Sequence, residues 1–183
     1  YKKGQRVLGA FSEYMAVRPE QLQVVPDDLP LDQASFAEPL SCCIRSLRRI
    51  EVSLGDTVLV SGAGTMGLLH VKAALAIGAR VIVSDIVHAR LEDARRIGAD
   101  AVVDASDTNT FTAEVKRLTR NRGVEACIVT TPSLTAAETA FSVLAVGGRL
   151  NIYTSYSDKP VLPIDMNTIH RNEFVVTGTE GRS

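Results

Sequence analysis

Thr57-Val58-Leu59-Val60-Ser61 runs directly into Gly62-Ala63-Gly64-Thr65-Met66-Gly67, and that turn into the nearly all-apolar stretch Met66 to Ile77. A short β-branched run reads as a buried strand, and the longer apolar stretch as a buried helix. The glycines between them form a G-x-G-x-x-G turn in which each has its own task. Gly62 permits the tight bend, Gly64 lets backbone approach a pyrophosphate, and Gly67 lets the helix pack closely on the strand. Thr65 and Met66 open the helix, whose free N–H groups and positive dipole end face the same phosphates. No Asp or Glu occurs from Thr57 to Ser84 to repel a dianion. Asp85 follows 18 residues beyond Gly67, at the end of the next strand. There a carboxylate accepts from the ribose 2′-OH and 3′-OH of a dinucleotide and repels a 2′-phosphate, which favours NAD over NADP.

Outward from this unit the chain alternates. Strand 80–84 ends at Asp85, and the helix after it keeps Leu91, Ala94 and Ile97 inward before stopping at Gly98. Strand 101–103 precedes a helix carrying Phe111, Val115 and Leu118; strand 124–129 precedes one carrying Ala137, Ala140, Phe141 and Leu144. After Gly147-Gly148 come strand 149–153, a short helix over Ile164 to His170, and strand 174–177. The pattern predicts an α/β domain of Rossmann type, with a doubly wound six-stranded parallel sheet and helices on both faces. Its ligand crevice falls where strand order reverses, between strands 57–61 and 124–129. Thr130 and Thr131 close the latter strand at that point, either as cofactor contacts or as turn residues. Upstream, 11–17 and 21–25 read as two short strands, followed by a turn cluster at Pro26 to Pro30. From Pro39 a helix places Leu40, Cys43, Ile44 and Leu47 on one face, with Arg45, Arg48 and Arg49 as a solvated face. The domains are read as 1–30 and 31–183, the second including this leading helix.

At 183 residues the chain suffices for one good core, and its net charge of −1 leaves no field to steer it onto nucleic acid. No apolar run reaches membrane-spanning length, and Tyr1 to Arg6 lead into no apolar signal core; the expectation is a cytoplasmic protein. Cys42, Cys43 and Cys127 form no C-x-x-C pair and read as buried, reduced residues. His70, His88 and His170 read as structural or exposed. No H-E-x-x-H, P-loop lysine or structural zinc cluster is present.

The run Gly55-Asp56-Thr57-Val58-Leu59-Val60 through GAGTMG, then Ser84-Asp85, Arg90-Leu91, Ala94 and Gly98-Ala99-Asp100, resembles the medium-chain dehydrogenase superfamily, especially its zinc-dependent polyol (sorbitol-like) branch. Gly9 to Val17, Val25-Pro26, Ala37-Glu38-Pro39-Leu40-Ser41 and Gly147-Gly148-Arg149 fall in family order too, so the likeness covers essentially the whole chain. It implies that residues 1–30 are a β remnant of the GroES-like catalytic domain and that the chain is a fragment centred on the cofactor domain. It implies cofactor contacts at Met66, at Arg90 beside the adenosine ribose, at Tyr153, Thr154 and Ser155 beside the nicotinamide carboxamide, and at Thr179, Glu180 and Gly181. Thr154 departs from the family's glycine. Glu38 reads from the residues alone as a helix-start carboxylate; the resemblance places it at the catalytic zinc, directly or through the zinc's water. The other zinc ligands belong upstream, so no catalytic residue is assigned within the chain. The implied activity is hydride transfer from a secondary alcohol or polyol to NAD, by a homo-oligomer. Rival readings are a zinc-free NADPH quinone reductase, against which Asp85 and Ala37-Glu38-Pro39 speak, and a non-catalytic NAD-sensing module. No tyrosine has a lysine four residues later, which removes the short-chain dehydrogenases.

Overall fold

A computed structural model describes residues 12–180. The chain divides into two units, 1–36 and 37–183. In the first, a 3-10 turn at Pro19–Gln21 and a four-residue helix α1 (Leu31–Ala34) are the only regular elements among the described residues. The strands expected at 11–17 and 21–25, and with them the β remnant, are not formed there; Phe11 lies outside the described residues. The apolar residues that suggested them, Tyr14 and Val24, are 92% and 96% exposed. Two short segments without a partner sheet or buried face cannot sustain a ladder.

The second unit runs α2 (Ala37–Arg49), β1 (Thr57–Ser61), α3 (Thr65–Ile77), β2 (Arg80–Asp85), α4 (His88–Arg96), β3 (Ala101–Asp104), α5 (Thr108–Leu118), β4 (Val124–Val129), α6 (Leu134–Ser142), β5 (Leu144–Ile152), α7 (Met166–Asn172) and β6 (Val175–Gly178). The six strands are parallel in the order β3-β2-β1-β4-β5-β6. This is the doubly wound Rossmann order, with its reversal between β1 and β4. Val58 aligns with Val81 on one side and Ala126 on the other, so β1 is enclosed by neighbours throughout.

Alternation along the strands divides the core. Val58, Val60, Val81 and Val83 pack with Leu47 and Ile50 of the α2 region and Val71 and Ala74 of α3. Leu59, Ile82, Cys127 and Val129 pack on the other face with Phe111 and Val115 of α5 and Ala137 and Ala140 of α6. Strands buried on both faces become continuous apolar runs, as read from the sequence. All three cysteines are buried thiols outside any disulfide.

Differences lie at the ends of elements. Pro39 is the third residue of α2, where its missing N–H still falls among the first-turn donors that no helical carbonyl serves. Ile44 is 39% exposed, and Ser46 is buried on the inward face in its company of Cys42, Cys43 and Leu47. Leu144, expected on a helix, begins β5 and pairs with Val124; the ladder resumes only at Ala126 and Arg149. Gly147, with a φ of +73°, and Gly148, where a Cβ would meet the Ala145 carbonyl at 2.6 Å, make that bulge possible.

Ile82 is fully buried on β2, an interior strand. Ile82→Ala is expected to cost about 2–5 kcal/mol through lost burial and the cavity left behind. Denaturant unfolding followed by far-UV circular dichroism checks this, and a loss near zero would mean that the two-faced core is misassigned.

Candidate functional site

The turn after β1 is built by close approach. Gly62 has a φ of +103°, and a Cβ there would meet the Thr130 hydroxyl at 2.6 Å. A Cβ on Gly67 would stand 1.9 Å from the Gly62 carbonyl oxygen, closer than any side chain can lie. Gly64 is different: its backbone is ordinary and nothing lies within 4 Å of where its Cβ would be. Nothing in the fold calls for glycine at 64: a side chain there would stand in open space. Gly64 also occupies the N-cap of α3 without any side-chain cap, whereas Asp107, Ser133 and Asp165 cap α5, α6 and α7. The first N–H groups of α3, at Thr65 and Met66, therefore have no capping acceptor.

Asp85 holds this turn. One carboxylate oxygen accepts from the Ala63 N–H at 2.8 Å and the other from the Val87 N–H at 2.9 Å. The Arg90 guanidinium lies 3.7 Å from the first, and the Asp85 side chain is only 6% exposed. The sequence places Asp85 at the strand end as an acceptor for ribose hydroxyls; the structure adds that it anchors the turn from within, with lone pairs to spare, since a carboxylate accepts about four hydrogen bonds. Thr130 is likewise a brace, its hydroxyl lying 3.0 and 3.1 Å from the Ser61 and Gly62 carbonyls. Thr131 lines a cleft of about 200 Å³ at the carboxyl ends of the strands, together with Asp85, Ile86, Arg90, Ser133 and Thr139.

Beyond β5, Tyr153 continues the ladder by donating its N–H to Val129, while Thr154 is half-buried and Ser155 exposed. After β6, Thr179 is half-buried and Glu180 exposed; Gly181 lies outside the described residues. The Tyr153 ring meets His70 edge-on at 4.5 Å, and its hydroxyl contacts the Cys43 thiol. Burial pushes the Cys43 thiol up to about 12 and also raises the Tyr153 hydroxyl, so neither supplies an anion at neutral pH. The His70 Nδ1 lies 2.7 Å from the Met66 carbonyl, which can only accept, so that nitrogen carries the proton. Burial lowers the ring's pKa from 6.5 to about 4 and leaves Nε2 a buried acceptor with no hydrogen-bond partner among the described residues. His88 and His170 are exposed on α4 and α7.

Glu38 is in the first turn of α2, accepting from the Cys42 thiol at 3.4 Å; burial and this carboxylate raise the thiol's pKa. Among the described residues no group of three or more His, Cys, Asp or Glu could hold a metal ion. The arginine face of α2 is exposed as expected, and two of its members also reach the end of β6: Arg45 donates to the Glu180 carbonyl at 2.8 Å and Arg49 to the Thr177 hydroxyl at 3.3 Å. Ser46 and Asn151, joined at 2.7 Å, were not singled out from the sequence at all. The available signal was an amide in the otherwise apolar strand Leu150-Asn151-Ile152.

A family model described as zinc-binding dehydrogenase matches residues 65–183. The chain belongs to the zinc-binding dehydrogenases. It is 32% identical to sorbitol dehydrogenase of Bacillus subtilis (strain 168) over 171 residues, which is 93% of this chain and 48% of that protein. It is 32% identical to (R,R)-butanediol dehydrogenase of Neisseria gonorrhoeae over 172 residues, again 93% of this chain and 48% of that protein. Among solved structures, a putative zinc-binding dehydrogenase of Clostridium scindens superposes with a TM-score of 0.81 at 27% identity, covering 85% of this chain and 44% of that one. This zinc-binding dehydrogenase chain thus spans about half the length of the relatives it matches.

Gly64→Val is expected to leave the sheet intact, since nothing in the described residues occupies the space its side chain would take, and to abolish dinucleotide binding if the phosphates lie there. Circular dichroism with a cofactor titration checks both halves, and a folded variant that binds normally would move the phosphate site elsewhere. For His70, the folded pKa of about 4 lies below the unfolded 6.5, so the unfolded chain takes up the proton first. Stability is complete above pH 6.5 and falls as pH drops toward 4, by on the order of 3 kcal/mol. Unfolding free energies measured across that range should show this slope in the wild type and a smaller one in His70→Leu.

Proposed function

We propose that this chain is the NAD(H)-binding half of a zinc-dependent alcohol or polyol dehydrogenase, in which hydride passes from a secondary alcohol carbon to the nicotinamide. One observation carries the reading: Gly64 keeps open a space that the fold itself has no use for, at the uncapped start of α3 and beside the carboxylate of Asp85. The pyrophosphate sits over Gly64, against the N–H groups that open α3 at Thr65 and Met66. The adenosine enters the cleft lined by Ile86, Arg90 and Thr131, where the unused lone pairs of Asp85 accept from the ribose hydroxyls. The nicotinamide lies toward Tyr153, Thr154 and Ser155, with Thr179, Glu180 and Gly181 facing its carboxamide.

In this reading the chain's own work is to bind and orient the cofactor, which lowers the barrier by positioning. The described residues do not make a metal site, so zinc and the groups that select the alcohol are assigned to the other half of the enzyme, with Glu38 at its edge. Substrates of the named relatives, sorbitol and (R,R)-butanediol, support a secondary alcohol as the class. β6 is an edge strand with Val175 and Val176 part-exposed, which supports pairing with a second copy. Among the described residues no helix is long and apolar enough to cross a membrane, and we assign the protein to the cytoplasm.

NAD is expected to bind this chain at least about tenfold more tightly than NADP, because a 2′-phosphate brings like charge against Asp85. Asp85→Ser should narrow the gap while weakening NAD itself, since Ala63 and Val87 lose their acceptor. Calorimetric titration with both cofactors decides the matter. Equal or tighter NADP binding, or no binding of either, sinks the assignment.

A further inference from the structure

Asn151 stands next to last in β5, between Leu150 and Ile152, and is fully buried. A carboxamide there is costly unless its polar atoms find partners, and a valine or leucine would satisfy the sheet without that demand. Both ends of the Asn151 amide are engaged. Nδ2 donates to the hydroxyl of Ser46, itself fully buried on α2, at 2.7 Å. Oδ1 accepts from the Thr179 hydroxyl at 3.2 Å. The pair thus spends two buried polar side chains to hold one residue just past the end of β6.

At Thr179 the sheet runs out. Its N–H donates to the Ile152 carbonyl at 3.2 Å, the last such bond along β6 among the described residues. What holds it is α2: Arg45 grips the Glu180 carbonyl, Arg49 the Thr177 hydroxyl, and Ser46 acts through Asn151 on Thr179. The same helix begins at the contact between Glu38 and Cys42, so one rigid element carries both.

We propose that Ser46 and Asn151 are positioning residues for the nicotinamide end of the cofactor, fixing the Thr179–Glu180 backbone where it meets the nicotinamide carboxamide. The inference rests on the reading of this strand-end as the nicotinamide wall. It makes the buried amide a determinant of how the reactive ring is presented, with no share in binding the adenosine half.

The test compares two ligands on the 183-residue chain: NADH, and ADP-ribose, which keeps the adenosine and pyrophosphate but lacks the nicotinamide. Asn151→Val is expected to weaken NADH by about tenfold, the equivalent of ~1.4 kcal/mol, while ADP-ribose changes by less than about twofold. The fluorescence gained by the bound nicotinamide should fall with it. Because Asn151→Val strands the Ser46 hydroxyl in the core, the double variant Ser46→Ala/Asn151→Val is made in parallel. It is expected to recover the melting temperature without recovering NADH affinity. Thr179→Val removes only the half-buried hydroxyl, should reproduce the selective loss, and carries the comparison should Asn151→Val not fold. Folded variants that lose both ligands by the same factor, or neither, overturn the proposal. A wild-type chain that binds ADP-ribose but shows no nicotinamide fluorescence change overturns it alone, whereas one that binds neither ligand overturns the cofactor reading as well.

Discussion

The carbonyl oxygen of Gly62 occupies the place where residue 67 would carry a Cβ, 1.9 Å away. That approach lets α3 begin within four residues of the end of β1 and lie directly on it. With α3 seated there, β1 is covered on one face and pairs on both edges, with β2 and with β4. The strand order reverses across it, and the helices that follow β1 and β4 lie on opposite faces of the sheet, which leaves a crevice at their carboxyl ends. A side chain at position 67 would lift α3 off the sheet, and the crevice would lose its wall.

The turn is held before any ligand arrives. Asp85 takes the Ala63 N–H, Thr130 braces the Ser61 and Gly62 carbonyls, and the Ser84 carbonyl takes the Gly62 N–H at 2.7 Å. Such a turn is already in its working shape, so the binding of a dinucleotide need not supply the cost of ordering it. The arrangement also joins structure to selectivity. The carboxylate that would tell a ribose hydroxyl from a phosphate is the same one that fastens the turn, so substitutions at Asp85 act on both at once.

The far end of the crevice depends on α2 in the same way. Ser46 and Asn151 meet inside the core, Arg45 and Arg49 reach around it, and Cys43 touches Tyr153 beside the neutral, buried His70. Ser46 and Asn151, both fully buried, keep their polar atoms satisfied only while the other is present, which ties α2 to β5 at this corner. In the proposed hydride transfer that tie would help to hold the acceptor carbon at a fixed distance from the donor.

Much of this was legible in the chain itself. The β-branched runs at Thr57–Ser61 and Arg80–Asp85, the glycine spacing at 62, 64 and 67, and the helical stripes of Phe111 and Val115 each specify a local geometry through nearest-neighbour sterics and burial period alone. Parallel strands buried on both faces then follow, and so does the reversal point. Other features needed partners distant in sequence. Segments 11–17 and 21–25 have strand-like composition, but a strand exists only where another backbone meets its hydrogen bonds, and none does among the described residues. Leu144 continues a helical stripe, yet pairing with Val124, 20 residues earlier, claims it for β5. Asp85 stood at the expected place, whereas its inward bonds to Ala63 and Val87 depend on how β1 and β2 end side by side. Ser46 and Asn151 lie 105 residues apart, and neither has meaning without the other. Sequence determines what is written in periods and turns of a few residues; tertiary structure alone decides which buried polar groups find one another, because that choice is made by packing across the whole sheet.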